Sequence, residues 1–289
     1  MEEFGDPKLL VSAYNAMGWF LTNTIEAPNE AKPYLEKALK TALEINDSSQ
    51  IGTSLTYNGF MYQMKSYYKT AMDYYLQSIA YREKLPNKRG LAFSYNLVGK
   101  VYEFQGNYKK SLEYHQIALE LRKKYTDSLQ VAHSLKNMGW SYLKDQQHEK
   151  SIAAFERSIE LSKKYNHQRR ISFGYNGLGS NYLALKQVDT ALAYFKKALV
   201  LSQQINIDFN ISQALVGCSS AYFEKEDYMN AKQSAEQAVI VIGTHRYFDQ
   251  LKETYRILYK VSEKQKHPQL ALDLSLIHIS EPTRRTPIS

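Results

Sequence analysis

The side chains that could do covalent or acid–base chemistry are few and scattered. The histidines, His115, His133, His148, His167, His245, His267 and His278, show neither an HExxH motif nor a paired metal spacing. Cys218 is the only cysteine and reads as a small buried hydrophobe rather than a nucleophile. The stretches "EEFGD" and "EKED" read as acidic surface, not as general acid–base pairs. Glycines are spread rather than clustered, so no phosphate-binding loop is expected. The sequence predicts no enzyme in this chain alone, no catalytic residue, no metal and no cofactor. Two sets of side chains suit non-covalent recognition instead. Asn15, Thr56, Asn96, Lys136 and Asn176 share one slot of a repeating pattern, and Trp19, Phe60, Lys100, Trp140 and Ser180 share another. An asparagine amide both donates to and accepts from a peptide backbone. Trp19, Phe60 and Trp140 could serve as aromatic anchors. Lys100 and Lys136 could pair with an acidic side chain or a C-terminal carboxylate. The same residues could instead cap local turns or pack between adjacent helices.

The slots exist because the sequence repeats. Gly59, Gly99, Gly139 and Gly179 stand 40 residues apart, and the next step lands on Ser219. Three residues after each comes a tyrosine: Tyr62, Tyr102, Tyr142, Tyr182 and Tyr222. Small residues follow twelve after the glycine slot, at Ala71, Ser111, Ser151, Ala191 and Ala231. More follow seven further on, at Ser78, Ala118, Ser158, Ala198 and Ala238. The register extends back to Ala31 and Ala38 and forward to Ala271. Gly18 sits one residue early, which places a one-residue insertion in "TIEAPNE". A period of this length marks a repeat array.

Each repeat reads as two helices. Leu135, Met138, Gly139 and Tyr142 fall on one helical face, and Ser151, Phe155, Ser158 and Ile159 on another. The polar joints "INDSS", "LPNKR", "YTDS" and "YNHQ" carry cap and turn residues. Glycine and the small residues let the two helices of a pair approach closely. The tyrosine slot, with Tyr75, Phe155 and Phe195, is expected to fill the space between pairs, so Tyr142→Ala should cost about 3–5 kcal/mol. The expected repeats run near 10–46, 48–87, 88–127, 128–167, 168–207 and 208–246, with a partial seventh at 247–273.

These columns resemble the tetratricopeptide repeat, with Leu-Gly and Tyr in helix A and Ala, an aromatic and a second Ala in helix B. The copy "YNGLGSNYLALKQVDTALAYFKKAL" (175–199) matches nearly every position, and the likeness covers about Leu10 to Asp273. The family's terminal proline is absent at Glu83, Lys123, Lys163 and Gln203, and the unit is 40 residues rather than the usual 34. Longer units of this sort are similar to those of bacterial peptide-pheromone receptors and of the sensory regions of histidine kinases and transcription regulators. The resemblance implies an all-α, right-handed superhelical solenoid of antiparallel helix pairs, six full repeats plus a truncated seventh. It also implies that helix A lines a concave face whose ligand is a peptide or protein segment. Mapped by register, Asn15, Trp19, Thr56, Phe60, Asn96, Lys100, Lys136, Trp140, Asn176 and Ser180 would face that groove. The expected function is the sensor or scaffold region of a longer bacterial signalling protein. The alternative is the regulatory part of a histidine kinase or transcription regulator whose output domain is missing. The Lys/Asn/Arg clamp for chaperone-tail carboxylates is not reproduced.

Composition is that of an ordinary globular chain, with 44% hydrophobic and 23% charged residues, while 24 tyrosines against 13 glycines and 7 prolines suit long packed helices. The net charge of +8 is spread along the chain, and "LRKKY" and "LSKKY" are placed at helix ends, where the dipole favours lysine. Nucleic acid is therefore not expected as a partner. A single cysteine permits no intrachain disulfide. No signal peptide and no membrane span are expected, which places the chain in the cytoplasm, or in the periplasm if an N-terminal segment is missing. The register calls for a small residue at position 278, where the chain has His278, followed by Pro282. "LSLIHISEPTR" resembles the conceptual translation of a transposon-end sequencing adapter, so 274–289 is expected to be a non-native read-through scar, the alternative being a disordered tail. The seventh pair would then be cut short and fray from about Gln265.

Overall fold

A computed structural model describes residues 6–23, 28–125, 128–243 and 248–265. All regular structure among these residues is α-helical. The helices are α1 (Pro7–Asn23), α2 (Pro28–Glu44), α3 (Ser48–Met64), α4 (Tyr68–Glu83), α5 (Arg89–Phe104), α6 (Tyr108–Tyr125), α7 (Ser128–Lys144), α8 (His148–Lys164), α9 (Gln168–Ala184), α10 (Val188–Gln204), α11 (Asp208–Glu224), α12 (Tyr228–Ile242) and α13 (Phe248–Lys264). Odd-numbered helices take the A role and even-numbered the B role. The chain divides between Ser134 and Leu135 into two compact units. In the first, α1 pairs with α2, α3 with α4 and α5 with α6, while α1 packs on α3 and α3 on α5. In the second, α9 pairs with α10 and α11 with α12, while α9 packs on α11 and α11 on α13. Ala271, the tail 274–289, the fraying expected beyond Gln265 and most of the insertion in "TIEAPNE" lie outside the described residues.

Short joints are possible because the A helices end alike. Ser66, Gly106, Gln146, Lys186 and Glu226, each 40 residues from the last, all take positive φ. At α9 the Lys186 amide donates to the Leu183 carbonyl (3.0 Å) and the Gln187 amide to that of Tyr182 (2.8 Å). This is the Schellman pattern, which satisfies carbonyls that would otherwise be orphaned. Glycine fits that backbone without strain, yet only Gly106 supplies it. At the start of α3, Asp47 accepts from the amides of Ser49 (3.0 Å) and Gln50 (3.1 Å), a side-chain N-cap. The lysine clusters fall in the last turns of α6 (Lys123, Lys124) and α8 (Lys163, Lys164).

The glycine column is explained by a second column in helix B. A Cβ on Gly59 would lie 2.6 Å from the Tyr75 ring, and one on Gly99 would lie 2.8 Å from His115. In the second unit, Gly139 meets Phe155 at 2.9 Å and Gly179 meets Phe195 at 2.7 Å. Ser219 carries a Cβ because the equivalent helix-B position holds Ala235, with no ring to strike. A hydroxyl moves across the pair in the same way. Ser151 Oγ donates to the Gly139 carbonyl, and Ser219 Oγ donates to the Ala231 carbonyl, each at 2.7 Å.

Polar and apolar rings choose matching neighbours. Tyr75 OH donates to Gln63 Oε1 (2.8 Å) and His115 Nε2 lies 4.0 Å from Glu103, whereas Phe195 packs in a cluster with Leu183 at the same step, and the sequence has Leu143 at that step from Phe155. Tyr75, Phe155 and Phe195 are at most 2% exposed and form the core. The tyrosine slot differs from expectation. Tyr62, Tyr102, Tyr142, Tyr182 and Tyr222 are only half-buried. Three of them stack on a further tyrosine twelve residues on, as Tyr62 on Tyr74, Tyr102 on Tyr114 and Tyr182 on Tyr194. Tyr142 has Ala154 in that place and no such partner.

Candidate ligand-binding face

In the first unit, the polar slot is largely taken up by contacts between adjacent A helices. Asn15 is 3% exposed, and its amide donates to Ser54 Oγ on α3 (2.9 Å). Thr56 is fully buried, with its hydroxyl 2.8 Å from the Gly52 carbonyl, 2.8 Å from Ser78 Oγ and 3.4 Å from Ser94 Oγ on α5. Asn96 is likewise buried. The neighbouring slot is more open. Trp19, Phe60 and Lys100 are half-buried, and Trp19 lies 4.6 Å from Phe60 and 5.0 Å from Tyr57, ring centre to centre. Lys100 Nζ sits 5.9 Å from the Phe104 ring.

In the second unit, Trp140, Phe173 and Phe209 form a wall of half-buried rings across α7, α9 and α11. Trp140 meets Phe173 edge-on at 5.8 Å, and Phe173 stacks on Phe209 at 6.2 Å with planes 8° apart. Lys136 Nζ stands 4.6 Å over the Phe173 ring, a cation–π distance. Ser180 is half-buried and donates to the Asn176 carbonyl (2.9 Å).

Behind the wall, α9 and α11 exchange amide hydrogen bonds. Asn176 Nδ2 donates to the Asn210 carbonyl (3.2 Å) and to Gln213 Oε1 (3.4 Å). Asn210 Nδ2 donates back to Ser172 Oγ (2.6 Å) and the Arg169 carbonyl (3.1 Å). Backbone carbonyls fix both amide orientations, because a flip would set oxygen against oxygen. Asn176 Oδ1 and Asn210 Oδ1 are consequently buried acceptors with no donor, and the Trp140 Nε1–H is a buried donor with no acceptor. Each such group costs about 1–3 kcal/mol until it is met.

Phe173, Phe209, Asn210 and Gln213 were not singled out in the sequence. Asn210 had a signal: Gln50, Gln130 and Gln250 share its slot, and Gln250 Nε2 donates to the Phe209 carbonyl much as Asn210 donates to that of Arg169. Phe173 shares its slot with Phe93 and Phe209 shares its slot with no aromatic, so no single column marked the wall.

Burial raises the Cys218 thiol to about 12, so it stays protonated at neutral pH. Among the described residues, no group of three or more histidine, cysteine or acidic side chains could hold a metal ion. No described helix is long and apolar enough to cross a membrane.

Comparison with known families places this architecture. Residues 50–124, 90–164 and 174–204 match the tetratricopeptide repeat, together just over half of the chain. This chain belongs to the tetratricopeptide repeat family. Its all-α solenoid of helix pairs is shared with solved repeat proteins. A Rap protein complexed with competence and sporulation factor superposes with a TM-score of 0.71 at 15% identity, over 95% of this chain and 77% of that one. NprR in complex with its cognate peptide NprX gives 0.70 at 14% identity, over 99% and 85%. PH0952 from Pyrococcus horikoshii, a signal transduction ATPase with a tetratricopeptide repeat sensor, gives 0.65 at 20% identity. The tetratricopeptide chain spans 93% of its own length but only 43% of that protein. Likeness at these identities is one of fold. No curated protein sequence matches the chain.

Proposed function

We propose that the chain is a non-catalytic module that binds a peptide or protein segment along its A helices. On this reading it is the sensor or scaffold region of a longer bacterial signalling or regulatory protein, working in the cytoplasm. The observation that carries the reading is the Trp140–Phe173–Phe209 wall of half-buried rings across three A helices, with Lys136 over one of them. The fold supports the reading as well, since NprR is solved with a peptide and the Pyrococcus ATPase carries its repeats as a sensor. The half-buried members of the candidate set, Trp19, Phe60, Lys100, Lys136, Trp140 and Ser180, are the ones a ligand reaches first. Selection of a phage-displayed random peptide library on the immobilised full chain tests this. Enriched peptides should bind in solution and lose about tenfold or more in affinity with Trp140→Ala. Absence of any enriched binder sinks the proposal.

A further inference from the structure

We propose that the second unit's A-helix face selects one class of peptide, a segment that lays an aromatic side chain on the Phe173–Phe209 stack with a carboxylate beside it for Lys136. This rests on the peptide-binding reading and narrows it to a single chemistry.

The wall is shaped for another ring. Phe173 is met edge-on by Trp140 at 5.8 Å, and Phe209 continues the stack at 6.2 Å, so an incoming ring prolongs an arrangement already present. Lys136 is held 4.6 Å above the Phe173 ring, where its ammonium can meet a carboxylate while keeping that ring as its floor.

The two helices that carry Trp140 and Phe173 are basic. α7 and α9 contain no aspartate or glutamate, yet carry Lys136, Lys144, Arg169 and Arg170. The B helix between them in the chain, α8, carries both signs, Glu149, Glu156 and Glu160 with Lys150, Arg157, Lys163 and Lys164. α11 carries Asp208 in its first turn, and Glu224, which is bonded to Lys186 at 2.8 Å. A carboxylate is therefore drawn to the α7 and α9 part of the wall.

A polyanion such as single-stranded RNA would also find cations and rings here. The charge beside the wall favours a peptide. Asp208, next to Phe209 at the start of α11, opposes a run of phosphates, whereas a single carboxylate needs only Lys136.

The experiment uses the full chain, the random-peptide selection above and three fluorescein-labelled acetylated probes of equal length: Asp/Phe, Lys/Phe and Asp/Ala. Selected peptides should be enriched in an aromatic residue next to aspartate or glutamate. The Asp/Phe probe should bind at least about tenfold tighter than either other probe. Phe173→Ala and Lys136→Glu should each remove about that factor, and Lys136→Glu should shift preference toward Lys/Phe. Phe173→Leu, which keeps apolar volume without the ring, replaces the alanine variant if that one loses its helical circular dichroism. Equal affinity for the three probes, or affinity indifferent to both substitutions, overturns the proposal. Binders without acidic–aromatic bias overturn it while leaving peptide binding intact, and no binders at all overturn both. Tighter binding of oligo(U) than of Asp/Phe, lost with the same substitutions, makes the face a nucleic-acid site and also overturns it.

Discussion

Gly179 and Phe195 hold each other's place: a Cβ on the glycine would stand 2.7 Å from the ring. One repeat on, Ser219 and Ala235 fill the same two positions, the ring having gone where the side chain has come. Gly179→Ser should therefore destabilise the protein by about 1–3 kcal/mol through overpacking. Combined with Phe195→Ala it should lose less than the sum of the two single changes, because the clash is gone. Urea unfolding of the four chains measures the coupling, and strict additivity would refute the pairing.

Asp47 gives a pH dependence of known sign. Backbone hydrogen bonding from Gln50, followed by the bond with Lys8 (3.0 Å), lowers its pKa below the usual 3.8. A lowered folded pKa stabilises the protein above the unfolded value, and that stability is lost as pH falls through the folded one. Asp47→Ala should cost about 1 kcal/mol at neutral pH, the usual worth of an N-cap. The gap between the two proteins should narrow as the medium is made acid enough to protonate the cap. Denaturation midpoints that keep a constant separation into strong acid would contradict the assignment.

Gln146 is held at φ 59° in the joint between α7 and α8, where Gly106 serves the equivalent joint with φ 75°. Gln146→Gly should raise stability by about 0.5–1 kcal/mol, the relief of left-handed strain less the added freedom of the unfolded chain. A lowered melting temperature would show that the side chain contributes more than the strain.

Tyr182 lies 5.4 Å from Tyr194 with planes 2° apart, whereas Tyr142 has Ala154 in the partner's place. Tyr182→Ala should be the more destabilising of the two by about 1 kcal/mol, the worth of an aromatic pair. The sequence-based figure for Tyr142→Ala assumed full burial, and half-burial lowers it. Equal losses in chemical denaturation would argue against the stacking.

Periodicity made the helix pairs legible, because a column such as Gly59 to Gly179 can be seen without knowing what it touches. The reason for the column was hidden, since each glycine answers a ring on the other helix of its pair. Ser219 departs from the glycine column because Ala235 stands where the other repeats have a ring. The candidate site was legible in kind and less so in place. Asn15 and Asn176 were marked by their chemistry, but residue type alone does not say whether an amide faces solvent or the next A helix. The structure buries both. Phe173 and Phe209 build the wall from different slots, so no column announced them.

The central claim is that ligand lies on the Trp140–Phe173–Phe209 wall, and Trp140 can report on it directly. The chain has two tryptophans, so Trp19→Phe leaves Trp140 as the sole indole. Titrating that variant with a library-selected peptide should shift and saturate the Trp140 emission at the same peptide concentrations that saturate binding. Saturable binding with the Trp140 emission unmoved would place the ligand elsewhere and contradict the account.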